Sequence, residues 1–417
     1  MNKRTLILLM LAIAALIVIA ACAPATPPAP SATSAPASGC AGGKGETVGK
    51  FQVPDVVKGK YNVGFIYVGP HDDGGWTQAH DIGRQYLEKN LDGVCTAYVE
   101  IVPEGTESEQ VTRALARKGF DVVIGTSFGF MDGMETVANE FPNVKFYHVS
   151  GYKFNGKNFG NMFGAMEDMK YLAGMIAGAR AKADNAPKIG YVATFPIPEE
   201  LRLGNAFSRG IQQTCPECKV DVRWINEWHH PVKEKEAAVS LFDAGADVVM
   251  TGADTPANAE AAKERKKWAV TYDYVGNCAI DSCLTTMYWN WGPVYVNAIK
   301  QMKAGTWKPG VEYFDADSGG LGLYGFMEGQ KPQPGVPADV IPLVKAKLAD
   351  MLAGKFTRFD VFAGPVKDNK GNVVVPAGTK ILQCDIDQFK PGAKECPANF
   401  GMYWWNENFI AELPKLQ

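Results

Sequence analysis

Tyr61-Asn-Val-Gly-Phe-Ile-Tyr-Val-Gly-Pro-His-Asp-Asp-Gly-Gly-Trp-Thr-Gln-Ala-His80 reads as a strand, a glycine-rich turn and the start of a helix, with an aromatic residue at the joint. The apolar run Val63–Val68 has strand length, and Gly69-Pro70 ends it. After Asp73, an N-cap residue type, Ala79, Ile82, Gly83, Tyr86 and Leu87 follow the i, i+3, i+4, i+7, i+8 spacing of one buried helical face. Trp76 falls in the first turn, off that face. In an open parallel sheet, ligands bind in the crevice outside the carboxyl ends of the strands, so Trp76 and its loop are placed to touch one. The competing reading is a tryptophan that caps the local core.

Outward from this stretch the pattern repeats. Strand-like runs at Thr96–Val102, Val122–Gly125, Lys145–Val149, Lys188–Ala193, Lys219–Trp224, Val248–Met250 and Ala269–Tyr272 are mostly separated by helical stretches, the signature of parallel α/β units. In the stretch Lys170–Ala183, the small residues Ala173, Gly174, Ala177 and Gly178 form a face that permits close helix packing. The folded part, roughly 360 residues, exceeds what one core usually organises, so two doubly wound lobes facing a cleft are expected. The expected division is 58–184 with part of 285–340 in an N-terminal lobe, and 185–284 with part of 340–417 in a C-terminal lobe.

The beginning of the chain speaks of location. Lys3 and Arg4 precede the uncharged stretch Thr5–Ala21, which has the charged n-region and short h-region of a secretory signal over 1–21. Ile19-Ala20-Ala21-Cys22 resembles the bacterial lipobox, in which the cysteine is lipidated and becomes the mature N-terminus. A spanning anchor would need about twenty apolar residues and a positive stop, and this stretch is short and lacks one. The Ala, Pro, Ser, Thr and Gly-rich segment that follows cannot bury a core, so 22–50 is expected to be a lipidated, disordered tether. Eight further cysteines, an even number in an exported chain, suggest disulfides. Local spacing favours Cys215 with Cys218, Cys278 with Cys283 and Cys384 with Cys396, leaving Cys40 for Cys95, among about 105 connectivities that eight cysteines allow.

Charge and motifs exclude more than they assign. A formal net charge of −3 with no basic stripe argues against nucleic acid. The five histidines, His71, His80, His148, His229 and His230, do not form a metal-binding face, so no metal or cofactor is expected. No nucleophile elbow, Walker loop or dinucleotide fingerprint is present, which leaves an enzyme without support. Asp72, Asp73, Glu199, Glu200, Asp254 and Asp273 lie at or just after predicted strand ends, where a carboxylate either accepts hydrogen bonds from a ligand or caps and solvates the surface.

Gly64-Phe-Ile-Tyr-Val-Gly-Pro-His-Asp-Asp-Gly-Gly-Trp-Thr-Gln-Ala-His-Asp-Ile-Gly-Arg84 resembles the opening of the basic membrane protein (BMP) family of solute-binding lipoproteins of ABC transporters. Tyr171-Leu-Ala-Gly174, Ile189-Gly-Tyr-Val-Ala-Thr-Phe-Pro-Ile-Pro-Glu199, Asp254-Thr-Pro-Ala257, Trp289-Asn-Trp-Gly-Pro293 and Phe362-Ala-Gly-Pro365 continue the resemblance in the family's order. It implies a type I periplasmic-binding-protein fold, two α/β lobes that close on a small ligand, a purine base or nucleoside in characterised relatives, and deliver it to a membrane permease. It further implies a monomer on a lipid anchor. By position in the resemblance, Trp76 stacks on the base with Asp73 and Thr77 beside it; Phe128, Phe130 and Phe195 are further aromatic candidates; and Asp254 holds the ligand, with Glu199 and Asp273 as nearby acids. Nucleoside-binding members carry a ribose-contacting Lys after a Leu-Thr-Ser motif, whereas Leu284-Thr-Thr-Met-Tyr-Trp289 puts Trp289 there. Because an indole cannot replace an ammonium on hydroxyls, the resemblance implies a nucleobase such as adenine over a nucleoside. Trp228-His-His-Pro231 also departs from the family pattern, which tends to have Asp before Pro. Alternatives are a sensor that presents its ligand to a signalling partner, and an exported hydrolase using the cleft carboxylates.

Overall fold

The computed structural model describes residues 40, 45–387 and 400–414. The leader, the lipidation residue Cys22 and Cys396 lie outside the described residues. The tether expected to run to residue 50 ends earlier, because β1 (Glu46–Val48) pairs antiparallel with β2 (Phe51–Val53). Phe51 and Val53 point into the core on either side of exposed Gln52, the period-2 alternation of a strand with one buried face.

The first lobe runs β3 (Tyr61–Ile66), α1 (Trp76–Asn90), β4 (Val94–Val99), α2 (Thr106–Lys118), β5 (Val122–Gly125), α3 (Met131–Glu140), β6 (Lys145–Val149) and β7 (Phe159–Gly164). After α4 (Glu167–Ala183) the second repeats the theme with β8 (Lys188–Ala193), α5 (Pro198–Thr214), β9 (Lys219–Trp224), α6 (Pro231–Asp243), β10 (Val248–Thr251), α7 (Ala257–Arg265), β11 (Trp268–Asp273) and β12 (Cys283–Trp289). The chain then returns through α8 (Trp291–Ala304) and β13 (Val311–Phe314) to the first sheet, and through β14 (Leu321–Leu323) to the second. The six-stranded orders are β13-β7-β6-β5-β3-β4 and β14-β12-β11-β10-β8-β9, parallel throughout except for β14. The two halves correspond strand for strand. Even the left-handed backbone positions recur: Ile101 (φ 56) after β4 matches Asn226 (φ 52) after β9, and Ser150 (φ 71) after β6 matches Asp273 (φ 66) at the end of β11.

The strand-like runs of the sequence all form strands, while β7, β12, β13 and β14 were not legible as such. Helix α1 departs from its expected face. Ala79, Gly83 and Leu87 are buried, but Ile82 and Tyr86 are 47% and 43% exposed, and His80, Asp81 and Arg84 are buried instead. Partners permit this polar face: Arg84 Nε donates to Asp81 Oδ1 at 2.6 Å, and His80 Nδ1 lies 2.5 Å from the Tyr295 hydroxyl. The small-residue face of α4 packs as its composition predicts, with a Cβ at Gly174 falling 2.0 Å from the Phe207 carbonyl oxygen of α5.

Disulfides join Cys40 to Cys95, Cys215 to Cys218 and Cys278 to Cys283, as spacing favoured. Beyond α9 (Ile341–Leu352), the C-terminal segment lies along the free edge of β9, where Val220 N donates to Asn408 O and Ile410 N to Val220 O, both at 2.9 Å.

Candidate ligand site

The site lies where the carboxyl ends of the two sheets face each other. The loop after β3 is held by Asp73, whose carboxylate accepts the backbone N–H groups of Gly75 (2.8 Å), Thr77 (3.0 Å) and Gln78 (2.9 Å). These are the otherwise unpaired donors of the first turn of α1, so Asp73 caps the helix and its oxygens are occupied. Burial nevertheless raises its pKa against the pull of those N–H bonds. Thr77 is fully buried beneath the loop. Neither residue lines the cleft, contrary to the expectation that both flank the ligand.

Trp76 does line it. Its indole Nε1 donates to the Thr126 carbonyl oxygen at 2.5 Å, which ties the end of β5 to the start of α1. Behind it stands an aromatic column: Trp289 stacks on Trp291 at 4.8 Å and 17°, and Trp291 on His80 at 4.4 Å and 20°. Trp76 meets Trp289, Trp291 and His80 nearly perpendicularly, each at 85°. This edge-to-face packing locks the ring's orientation.

The cleft holds about 350 Å³ of empty space, counting the open solvent at its mouth. Its walls are aromatic, with Trp76 and Phe128 from the first lobe and Trp228 and Tyr272 from the second. Its polar groups are Glu199, Asp254 and Asp273, with the hydroxyls of Ser127 and Ser150 opposite. Of the other sequence candidates, Phe195 stands one layer back with its ring 4.9 Å from that of Trp228. Trp289 is behind the wall and donates its indole N–H to Asp273 Oδ1 at 2.7 Å, so it orients an acid rather than facing the ligand. Phe130 does not line the cleft: its ring is fully buried in a core cluster of the first lobe, against which the half-buried Phe128 also packs.

Sequence reasoning missed Ser127 and Ser150, and three larger residues as well. Trp228 was visible only as a departure from a family pattern. Tyr272 was the last residue of a predicted strand, a position that points a side chain at the crevice. Lys170 carried no signal: it enters from α4, far away in the sequence, with its ammonium 3.5 Å above the Tyr272 ring centre and 3.3 Å from the Thr251 carbonyl oxygen.

The electrostatics are those of buried, crowded acids. Asp254 Oδ2 and Asp273 Oδ2 are buried without a hydrogen-bond partner. Burial drives the pKa of Asp254 well up, and the charges of Asp273 and Asp73 push the same way. Asp273 is also driven up by burial, against Lys170 and the Trp289 N–H. Burial pushes Glu199 up to about 8, and draws Lys170 down to about 8 against the acids around it. Strained backbone at Ser150 and Asp273, both at the cleft, fits a site held in shape by its surroundings.

The histidines do not converge. His71 pairs with Glu100 at 2.8 Å, and His80 is buried in the aromatic column with its pKa well down. Among the described residues no group of His, Cys, Asp and Glu could hold a metal ion.

The lobes touch across this cleft. A Cβ at Gly75 would lie 1.9 Å from the Asp254 carbonyl oxygen, and one at Gly74 would lie 3.4 Å from the Pro256 ring.

Two corresponding parallel α/β lobes, joined by three passes of the chain and meeting over a small cleft, define a type I periplasmic-binding-protein fold. Solute-binding proteins of ABC transporters share it: one from Aeropyrum pernix superposes with a TM-score of 0.62 at 18% identity over 74% of this chain and 92% of its own. Another, from Conexibacter woesei, gives 0.56 at 22% over 71% and 97%. The chain belongs to the Bmp family, described as ABC transporter substrate-binding protein, PnrA-like, whose model matches residues 60–339. A purine-binding protein of Brucella abortus is 34% identical over 77% of this chain and 88% of its own. A putative ABC transporter glucose-binding protein of Haloferax volcanii is 35% identical over 59% of this chain and 62% of its own. The protein is therefore an extracytoplasmic substrate-binding protein of an ABC transporter and not an enzyme.

Proposed function

We propose that the protein captures a purine-type ligand, a nucleobase such as adenine rather than a nucleoside, between its lobes and delivers it to an ABC permease. It does so as a monomer held at the outer face of the cell membrane by a lipid on Cys22. The observation that carries this reading is the pairing of flat aromatic walls, Trp76, Phe128, Trp228 and Tyr272, with unpartnered carboxyl groups in a cleft of about 350 Å³. Stacking on such a wall contributes about 1–3 kcal/mol per base. The purine-binding name of the Brucella relative supports the same class. The preference for a base rests on Trp289, which stands where nucleoside-binding members have a lysine and whose one N–H is already given to Asp273.

Thermal unfolding of the chain with adenine, adenosine and D-glucose tests this, since a ligand that binds the native state raises its stability. A shift with adenine that adenosine does not match supports the proposal. A shift with adenosine alone would remove the argument from Trp289. Glucose is included because of the Haloferax relative, and a shift with glucose alone would replace the purine reading. For the anchor, Cys22→Ala should abolish incorporation of labelled palmitate by expressing cells; retained label would place the lipid elsewhere.

A further inference from the structure

We infer that Lys170 is a positioning residue of the ligand site: from behind the second-lobe wall its ammonium fixes the Tyr272 ring against which a ligand packs. The inference rests on the cleft being the ligand site, as proposed above, and not on which ligand fills it. Lys170 belongs to α4 and is fully buried beside the core residues Met169, Leu172 and Ala173. An apolar side chain would fill that place without electrostatic cost, whereas a buried charge is unfavourable unless it is well paired. Its hydrogen-bond partners are sparse for a group with three N–H donors: the Thr251 carbonyl oxygen at 3.3 Å and the Met250 sulfur at 3.9 Å. The ammonium lies 3.5 Å from the centre of the Tyr272 ring, a cation–π contact of the kind that is strongest where water is excluded. Tyr272 lines the cleft and Lys170 does not, so the cation takes one face of the ring and leaves the rest of it to the ligand.

Three parts of the wall meet at this ammonium. Thr251 precedes the cleft-lining Gly252 at the end of β10, Tyr272 and Asp273 end β11, and Glu199 and Glu200 lie in the first turn of α5. Glu200 stands behind Gly252, where a Cβ would fall 2.5 Å from its Oε1. Burial draws the pKa of Lys170 down to about 8 against the pull of Glu200, Asp273 and Glu199, so at pH 7 it is an ammonium. A core helix that carries such a charge breaks the local rule for its position, and breaks of this kind gather at functional sites. Stability and binding should then respond with different signs. Removing the cation relieves its burial, since Glu200 and Asp273, both already driven up by burial, can hold protons in its absence. The same removal frees the Tyr272 ring to tilt away from the plane that the ligand needs.

Titration calorimetry and thermal unfolding of Lys170→Met at pH 7 test the inference, with adenine as the probe. Affinity is expected to fall about tenfold, the scale of a desolvated cation–π contact. The melting temperature should rise, or fall by no more than about 3 °C, as when a buried charge gives way to an apolar side chain of similar size. Because Lys170 acts through the ring, the same substitution made in Tyr272→Leu should cost only about threefold or less. An affinity in Lys170→Met that stays within about threefold of the unaltered protein overturns the inference. A larger fall in melting temperature also overturns it, by making the residue a structural one, and so does an undiminished loss of affinity in the Tyr272→Leu background. Should the unaltered protein bind D-glucose and not adenine, the purine reading fails, and the same ratios are read with glucose.

Discussion

At the residue scale, Trp76 and Glu199 divide the work between shape and charge. Trp76→Ala removes one aromatic wall and is expected to weaken ligand binding at least tenfold, in line with about 1–3 kcal/mol for a stacked base. Trp76→Phe should keep most of the affinity, and titration calorimetry beside unliganded melting separates lost stacking from lost packing in the aromatic column. Glu199 has a pH signature. In the folded protein it holds its proton up to about pH 8, against an ordinary value of 4.5. Between those limits the folded state binds more protons than the unfolded one, so stability falls as pH rises through this window. Glu199→Gln should flatten that fall and make the protein more stable at pH 8 by on the order of 1 kcal/mol, measured by denaturant unfolding at pH 5 and pH 8. An unchanged slope would assign it to another acid. Trp76 and Glu199 were legible because each sits at a turn just beyond a strand, a local pattern. Lys170 and the burial of Phe130 in the core were not, since both depend on what packs against them.

At the element scale, the pairing of α4 with α5 sets the base of the second lobe. The stripe Ala173, Gly174, Ala177 and Gly178 announces close packing in the sequence, but its partner does not. The structure supplies Gly210, where a Cβ would stand 1.9 Å from the Tyr171 carbonyl oxygen. Gly210→Val forces the helices apart and is expected to destabilise the protein by about 1–3 kcal/mol, the usual cost of overpacking, read as a fall in melting temperature. An unaltered melting temperature would mean that the interface yields freely. Helix α1 teaches the opposite lesson. Its apolar spacing pointed to Ile82 and Tyr86 as buried, yet the polar residues His80, Asp81 and Arg84 are inside, because tertiary partners satisfy them.

At the scale of the whole molecule, binding depends on how closely two lobes can approach. Closure of lobes about a hinge completes such a site. The tightest point of contact is Gly75 against the Asp254 carbonyl oxygen, where there is no room for a side chain. Gly75→Ala should hold the lobes apart and lower affinity at least tenfold. The unliganded melting temperature should move by no more than about 2 °C, because Gly75 is buried against the facing lobe and is in neither lobe's hydrophobic core. Small-angle scattering of this variant should show no compaction on adding ligand, and compaction equal to that of the unaltered protein would exclude Gly75 as the closure point.

The sequence by itself determined the class of fold, the two-lobed organisation and the loop that carries Trp76, and it favoured the three disulfide pairings that the structure then showed. Strand length, helical spacing, turn residues and cysteine separation are local properties, legible along the chain. The tertiary structure alone decided that Asp73 caps a helix and that Trp289 serves Asp273 from behind the wall. It also brought Trp228 and Tyr272 to a cleft that no contiguous motif describes, and set the Lys170 ammonium against the Tyr272 ring. These outcomes turn on which donor meets which acceptor across the space between lobes. That meeting is fixed by packing between segments far apart in the chain, where periodicity carries no information.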